Sequence, residues 1–250
     1  MTIHYPENNP TIPSDSYQLG LLCIEGIAAA KFLQGQLTCN IEEVTLTDSR
    51  LGAHCNPQGR IISLFRLFLH ENKYYLLMPV SMLQIAITAL QKYAVFFKVT
   101  LSDASTDAYL NTISDGHEHK NNIEAGVPTI YPQTSGKFLP HEINLQYLNG
   151  ISFDKGCYTG QEIIARMHYR GQIKKHMYRM HVNTLITPIP GADIHDQTGP
   201  CGTIVDSYQE QENNFQLLVI ANQATVASSN LFLTQDNKEP LTVLKLPYAL

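Results

Sequence analysis

Lys155-Gly-Cys-Tyr-Thr-Gly-Gln-Glu162, with Arg166 one helical turn further on, sets a thiol, two cations and two glycines within one short stretch. A cysteine does chemistry as its thiolate, and cations or a helix N-terminus nearby stabilise that form. Thr159 and Glu162 have the spacing of a capping box, so the sequence predicts a helix starting near Gly160. Ile163, Ile164 and Met167 give it an apolar stripe, and Gly171 can end it after about 11 residues. Cys157 then lies just ahead of the positive helix end and two residues from Lys155. Both favour the thiolate if the side chain points that way and stays out of apolar surroundings. Gly156 and Gly160 let backbone amides come close to a ligand.

The charge pattern marks the same region. The chain carries a net −5, yet residues 155–181 hold six Lys or Arg (155, 166, 170, 174, 175, 179) against the single acid Glu162. That segment is +5, and the other residues together are −10. Two readings are open: a solvated helix face and hairpin, or an anion-binding edge for a polyglutamate tail, a phosphate or an RNA backbone.

The elements that must position this stretch follow from periodicity and punctuation. A length of 250 residues with 44% hydrophobic and 16% charged side chains is enough for one large or two to three small packed units. Residues 17–24 read as a strand, 26–36 as a short helix, and 50–56 and 60–70 as a hairpin around the turn Asn56-Pro-Gln-Gly59. A strand at 74–78, a helix from Pro79 to about Tyr93 and a strand at 96–101 complete an α+β unit with helices on an antiparallel sheet. His117-Glu-His119 reads as a solvated loop rather than a metal site, and residues 128–150 as a crossing loop. Short strands at 174–182, 187–193, 198–205, 215–221 and 241–246 suggest a small C-terminal antiparallel barrel, with a boundary near 172–183. Residues 1–175 and 176–250 are the two units this implies. Residues 1–16 read as an irregular arm without the apolar core of a signal peptide, and no run approaches about 18 apolar residues. The expected location is the cytoplasm, without membrane contact. Five cysteines and no C-x-x-C pair argue against a disulfide framework or a self-contained zinc or iron–sulfur site. Cys39 reads as a small buried residue.

With Arg166, the 155–162 motif resembles the signature of the YgfZ-type folate-binding proteins, K-G-C-[aromatic]-x-G-Q-E-x-x-x-R. The resemblance extends to Lys31-Phe-Leu-Gln-Gly-Gln36, Ala53-His-Cys-Asn-Pro-Gln-Gly-Arg60 and Ile123-Glu-Ala-Gly-Val-Pro128. That family is similar to the T-protein of the glycine cleavage system, a tetrahydrofolate-dependent aminomethyltransferase. The resemblance implies a T-protein-like ring of subdomains around a central folate cavity, with a C-terminal antiparallel β-barrel. It implies tetrahydrofolate, or a related folate, as the cofactor.

The T-protein hairpin carries an acidic pair, whereas this chain has Gly59-Arg-Ile-Ile-Ser63-Leu64 there, so aminomethyl transfer by that route is not expected. Some bacterial members stack folate on tryptophan; this chain has none, leaving its 13 Tyr and 9 Phe. The resemblance implies an accessory protein in iron–sulfur enzyme maintenance and tRNA methylthiolation, with Cys157 as the functional thiol beside Lys155. Its partners would be iron–sulfur or radical tRNA-modifying enzymes, with direct RNA contact left open. Glu124 is the candidate for the pterin edge, because a carboxylate accepts from amino and ring N–H groups. Tyr158 and Gln161 of the motif are further candidate folate contacts, and Arg166 and Arg170 are candidates for the glutamyl tail. Arg166 could equally brace its own helix against Glu162. Two alternatives remain: a folate-dependent one-carbon transferase with a relocated base, and a non-catalytic docking module for an iron–sulfur enzyme or RNA.

Overall fold

The apolar run of β1 (Leu19–Glu25) is uninterrupted because both of its faces are covered. Leu22 and Ile24 enter the main core, while Leu21 and Cys23 join Tyr75 and Leu77 in a second cluster on the other face. This is a computed structural model describing residues 17–113, 118–171, 173–228, 230–236 and 239–250. The arm at 1–16 and His117 lie outside the described residues.

Along the chain, β1 is followed by α1 (Ala29–Gln34), β2 (Arg50–Cys55), β3 (Ile61–His70), β4 (Lys73–Pro79), α2 (Val80–Ala94) and β5 (Thr100–Asp103). The five strands form one antiparallel sheet in the order β2-β3-β4-β1-β5. The hairpin turn is as the sequence predicts: Gly59 N–H donates to Asn56 O at 2.8 Å, with Gly59 at φ +73°. α2 starts directly after Pro79 and turns Met82, Leu83, Ala86, Leu90 and Ala94 into the core. Val95–Phe97 continues it as a 3-10 turn, and Lys98 at φ +53° ends it, so the strand expected from residue 96 starts only at Thr100. Together Val80–Phe97 is long and apolar enough to cross a membrane by length and composition, which the sequence reading did not anticipate. Its inward face is core packing against β1, β3, β4 and β5.

Two short helices, α3 (Leu110–Ile113) and α4 (Glu118–Ala125), lead to the crossing segment and then to α5 (Gln161–Arg170). β6 (Lys175–Asn183), β7 (Asp193–Asp196), β8 (Gly199–Gln211), β9 (Asn214–Asn222), α6 (Gln223–Ser228) and β10 (Thr242–Leu244) follow. Their strands make a second antiparallel sheet in the order β10-β6-β9-β8-β7. Of the expected antiparallel barrel, the antiparallel sheet is what is observed. The sheet is open, with β10 and β7 as its outer strands, and only single bridges at His195–Phe232 and Phe232–Pro240 lie beside them. The strand expected at 187–193 is absent because Pro188 and Pro190 have no N–H for a ladder, and only Asp193 joins β7. β8 runs on to Gln211 because its polar end pairs with the start of β9. Met177, Val205, Leu218 and Ile220 of the second sheet join the main core, while Met180, Val182, Ile204 and Leu217 build a core of their own. The molecule is thus α+β, two antiparallel sheets sharing a core.

Candidate functional site

Two adjoining hollows open beside the first sheet, with volumes of about 320 and 560 Å³. Leu51, Arg66 and Val127 line both. The smaller is walled by apolar side chains such as Leu19, Leu64 and Met78, with the amides of Asn121 and Asn122 on one side. Among the described residues it has no carboxylate in its lining. The larger adds Cys39, Arg50, Phe153 and the two acids Glu43 and Asp154. Glu43 is engaged, accepting from Arg50 Nε at 3.1 Å. Arg66, an exposed cation in β3, reaches Ser49 Oγ at 3.5 Å. At the hairpin position where the resemblance leads one to look for an acidic pair, Ser63 is fully buried with its Oγ unpartnered, and Leu64 lines the smaller hollow.

The motif is folded differently from its local pattern. Gly160, not Thr159, is the N-cap of α5, at φ +84° and without a side-chain cap. Thr159 is drawn into tertiary contacts instead: its Oγ1 donates to Gln36 Oε1 at 3.3 Å and its N–H to Gly35 O at 3.2 Å. Gln161 Oε1 accepts from the Tyr158 N–H at 3.2 Å, closing the turn before the helix. A Cβ at Gly160 would stand 2.6 Å from Asn56 O, so the hairpin turn and the helix start touch backbone to backbone. Gly59 faces the side chain of Ile163 in α5, whose Cβ would be 3.1 Å from a Cβ at Gly59.

Lys155 does not serve its neighbour's thiol. It is 8% exposed, and its Nζ donates to Leu37 O and Cys39 O, both at 2.7 Å, with the Tyr158 ring 5.0 Å below. Burial pushes the amine down to about 8, and the neighbouring Cys39 opposes that only in part. Tyr158 is buried against this ammonium and its hydroxyl is pushed well up, first by burial. The expectation that Lys155 activates Cys157 is therefore corrected: the ammonium holds the motif loop onto the 37–39 loop.

Cys157 is exposed, and a Cβ at neighbouring Gly156 would meet nothing within 4 Å. It is the only fully exposed thiol among the described residues. Cys39 is buried as read from the sequence, and burial pushes its thiol up to about 11. Cys157 is not part of the lining of either hollow, and neither are Tyr158, Gln161, Arg166 and Arg170. Arg166 and Arg170 are exposed and share a surface groove on α5 with Ala165 and Tyr169. Among the described residues, Arg166 makes no ion pair with Glu162. Glu124 is at the end of α4, with its carboxylate 42% exposed and 3.9 Å from Lys120 Nζ. The polar groups this segment gives the smaller hollow are Asn121 and Asn122.

Some residues escaped the sequence reading. Arg66 interrupts the apolar run of β3, which was a usable signal. His119 has no such signal. Expected in a solvated loop, it sits in α4, where it is stacked on Tyr17 and 2.9 Å from the fully buried Asp206 Oδ1. Tyr131 OH donates to the same oxygen at 2.8 Å. Residues this far apart in the chain meet only through the fold.

The architecture defines a class before it suggests a protein. The fold matches the glycine cleavage system aminomethyltransferase T from Bartonella henselae with a TM-score of 0.63, covering 93% of this chain and 84% of that one at 13% identity. The chain therefore has a T-protein-like fold. Within that class its sequence is similar to the tRNA-modifying protein YgfZ of Enterobacter sp. (strain 638), 29% identical over 92% of this chain and 91% of the relative. The YgfZ-type resemblance carried by the motif is thus matched along nearly the whole chain. No family model matches the chain.

Proposed function

We propose that this protein is a tetrahydrofolate-binding accessory protein in tRNA modification, acting with iron–sulfur or radical tRNA-modifying enzymes in the cytoplasm. The observation that carries the reading is the pair of adjoining hollows in a T-protein-like fold, set apart from an exposed motif thiol. The hollows fit a folate chemically. Apolar walls suit a flat pterin, the Asn121 and Asn122 amides can donate to and accept from its polar edge, and Arg66 can meet a carboxylate. Glu124, the earlier candidate for that edge, would have to leave Lys120 to take part.

Aminomethyl transfer by the T-protein route has little support. Among the described residues the smaller hollow offers no carboxylate, and Ser63 is buried outside its lining. A bound folate would supply one-carbon chemistry, but this chain contributes binding groups rather than a base at that place. Cys157 is assigned to a partner-facing step, since its side chain is exposed and outside both hollows.

The test is rescue of methylthiolated tRNA in cells lacking the native protein. Wild type should restore the modification and Cys157→Ala should not. Full rescue by Cys157→Ala would remove the thiol from the mechanism. No rescue by wild type would remove the tRNA-modification role.

A further inference from the structure

The six cations of the 155–181 segment are not equivalent in the fold. Lys155 is buried on two carbonyls. Arg179 donates to Gln216 Oε1 at 2.8 and 2.6 Å and to Glu124 O. The other four, Arg166, Arg170, Lys174 and Lys175, are exposed, and among the described residues none of them is in an ion pair. Two of the four are on one helix face with Tyr169, at spacings of three and four residues, and all three line the same groove. Tyr169 is 68% exposed, an unusual state for a large aromatic side chain. Its ring is braced from behind: His168 meets it edge-on at 4.8 Å, and Phe153 stacks on His168 at 3.7 Å and 16°. Phe153 itself lines the larger hollow, so the aromatic cluster that Tyr169 belongs to reaches from the groove to the hollow.

We infer that this groove is a binding surface for single-stranded RNA, with a base stacked on Tyr169 and phosphates held by Arg166 and Arg170. Exposed aromatic rings interleaved with unpaired arginines are how a protein grips a single strand without reading its sequence. Lys174 and Lys175, four and five residues past Arg170 in the chain, are exposed as well. Glu162, one turn before Arg166, is the one opposing charge on the helix. A purely acidic protein partner would use the same cations but has no use for an exposed ring packed edge-on against two others. The inference adds direct RNA contact to the proposed tRNA role and is tested separately from it.

The experiment is fluorescence anisotropy of a short labelled single-stranded RNA of mixed sequence with the full-length protein over a salt series. Each phosphate-neutralising cation contributes about −0.7 to the slope of log affinity against log salt. Arg166→Gln/Arg170→Gln should therefore flatten the slope by about 1.4 and weaken binding about ten-fold or more. Tyr169→Leu should weaken binding at least about five-fold and leave the slope unchanged. Lys92→Gln, an exposed cation on α2, should change neither, and matching melting temperatures confirm that the variants are folded. Absence of wild-type binding, or unchanged affinity and slope in the double arginine variant, overturns the inference. Equal displacement of the RNA by a polyglutamate peptide of the same charge also overturns it, and assigns the groove to an acidic protein. Loss of RNA binding with intact tRNA rescue, or the converse, separates this inference from the functional reading.

Discussion

Lys155 shows how much one side chain's direction decides. Two residues from Cys157 it reads as a thiolate-stabilising cation, but its hydrogen bonds to Leu37 O and Cys39 O make it a clamp between two loops. Lys155→Met leaves both carbonyls unpaired and should cost about 2 kcal/mol, measured by urea unfolding at neutral pH. The amine's folded value, about 8, is below the ordinary 10.5. The unfolded chain thus holds more protons between those values, so this group's contribution to stability is complete above about 10.5 and lost as pH falls through about 8. The stability difference between wild type and Lys155→Met should grow from pH 8 to 10.5, and a flat difference would show that the amine is not desolvated. Thiol reactivity belongs to the same scale. Cys39 and Cys201 are each pushed up to about 11 and Cys55 further, in each case chiefly by burial. Iodoacetamide on the native protein should therefore label one thiol quickly, and mass spectrometry should place it at Cys157.

At the scale of elements, the junction between the hairpin turn and α5 is the critical contact. Gly160 combines φ +84° with a backbone neighbour 2.6 Å from where a Cβ would be. Gly160→Ala should destabilise the protein by about 2–4 kcal/mol through strain and displacement of the Asn56–Gly59 turn, read as a lower urea midpoint. The same junction marks the limit of what the sequence reveals. β1, β3, β4 and β9 were legible because their apolar runs report burial directly, and α2 because Pro79 and a periodic inner face bound it. The start of α5 near Gly160 was legible, but its cap was misread because Thr159-x-x-Glu162 satisfies a local rule, while Gln36 and Gly35, remote in sequence, claim Thr159. The strands of the second sheet were legible but their closure into a barrel was not, because turn signals locate strands and say nothing of whether the outer two meet. In the site, Cys157 and the basic segment were visible from residue type and spacing. Arg66, Asn121 and Asn122 were not, because lining a hollow is a property of the assembled chain.

For the whole molecule, the two most deeply buried imidazoles set the acid limit. His54 and His141 are almost completely enclosed, and burial lowers both from 6.5 to about 4, with Lys92 and His168 adding smaller repulsions. Their contribution to stability is complete above about 6.5 and is lost as pH falls through about 4, because the unfolded chain binds the protons first. Stability should drop through that window by about 3 kcal/mol per histidine, and His141→Leu should shallow the drop as followed by urea midpoints. The larger claim is a division of labour, with a folate held in the hollows and a thiol facing outward to a partner. Calorimetric titration of tetrahydrofolate into wild type and Cys157→Ala tests it most directly. One site is expected in each, with affinities within about two-fold, since Cys157 lines neither hollow. No binding to wild type, or binding lost only with the thiol, would contradict it.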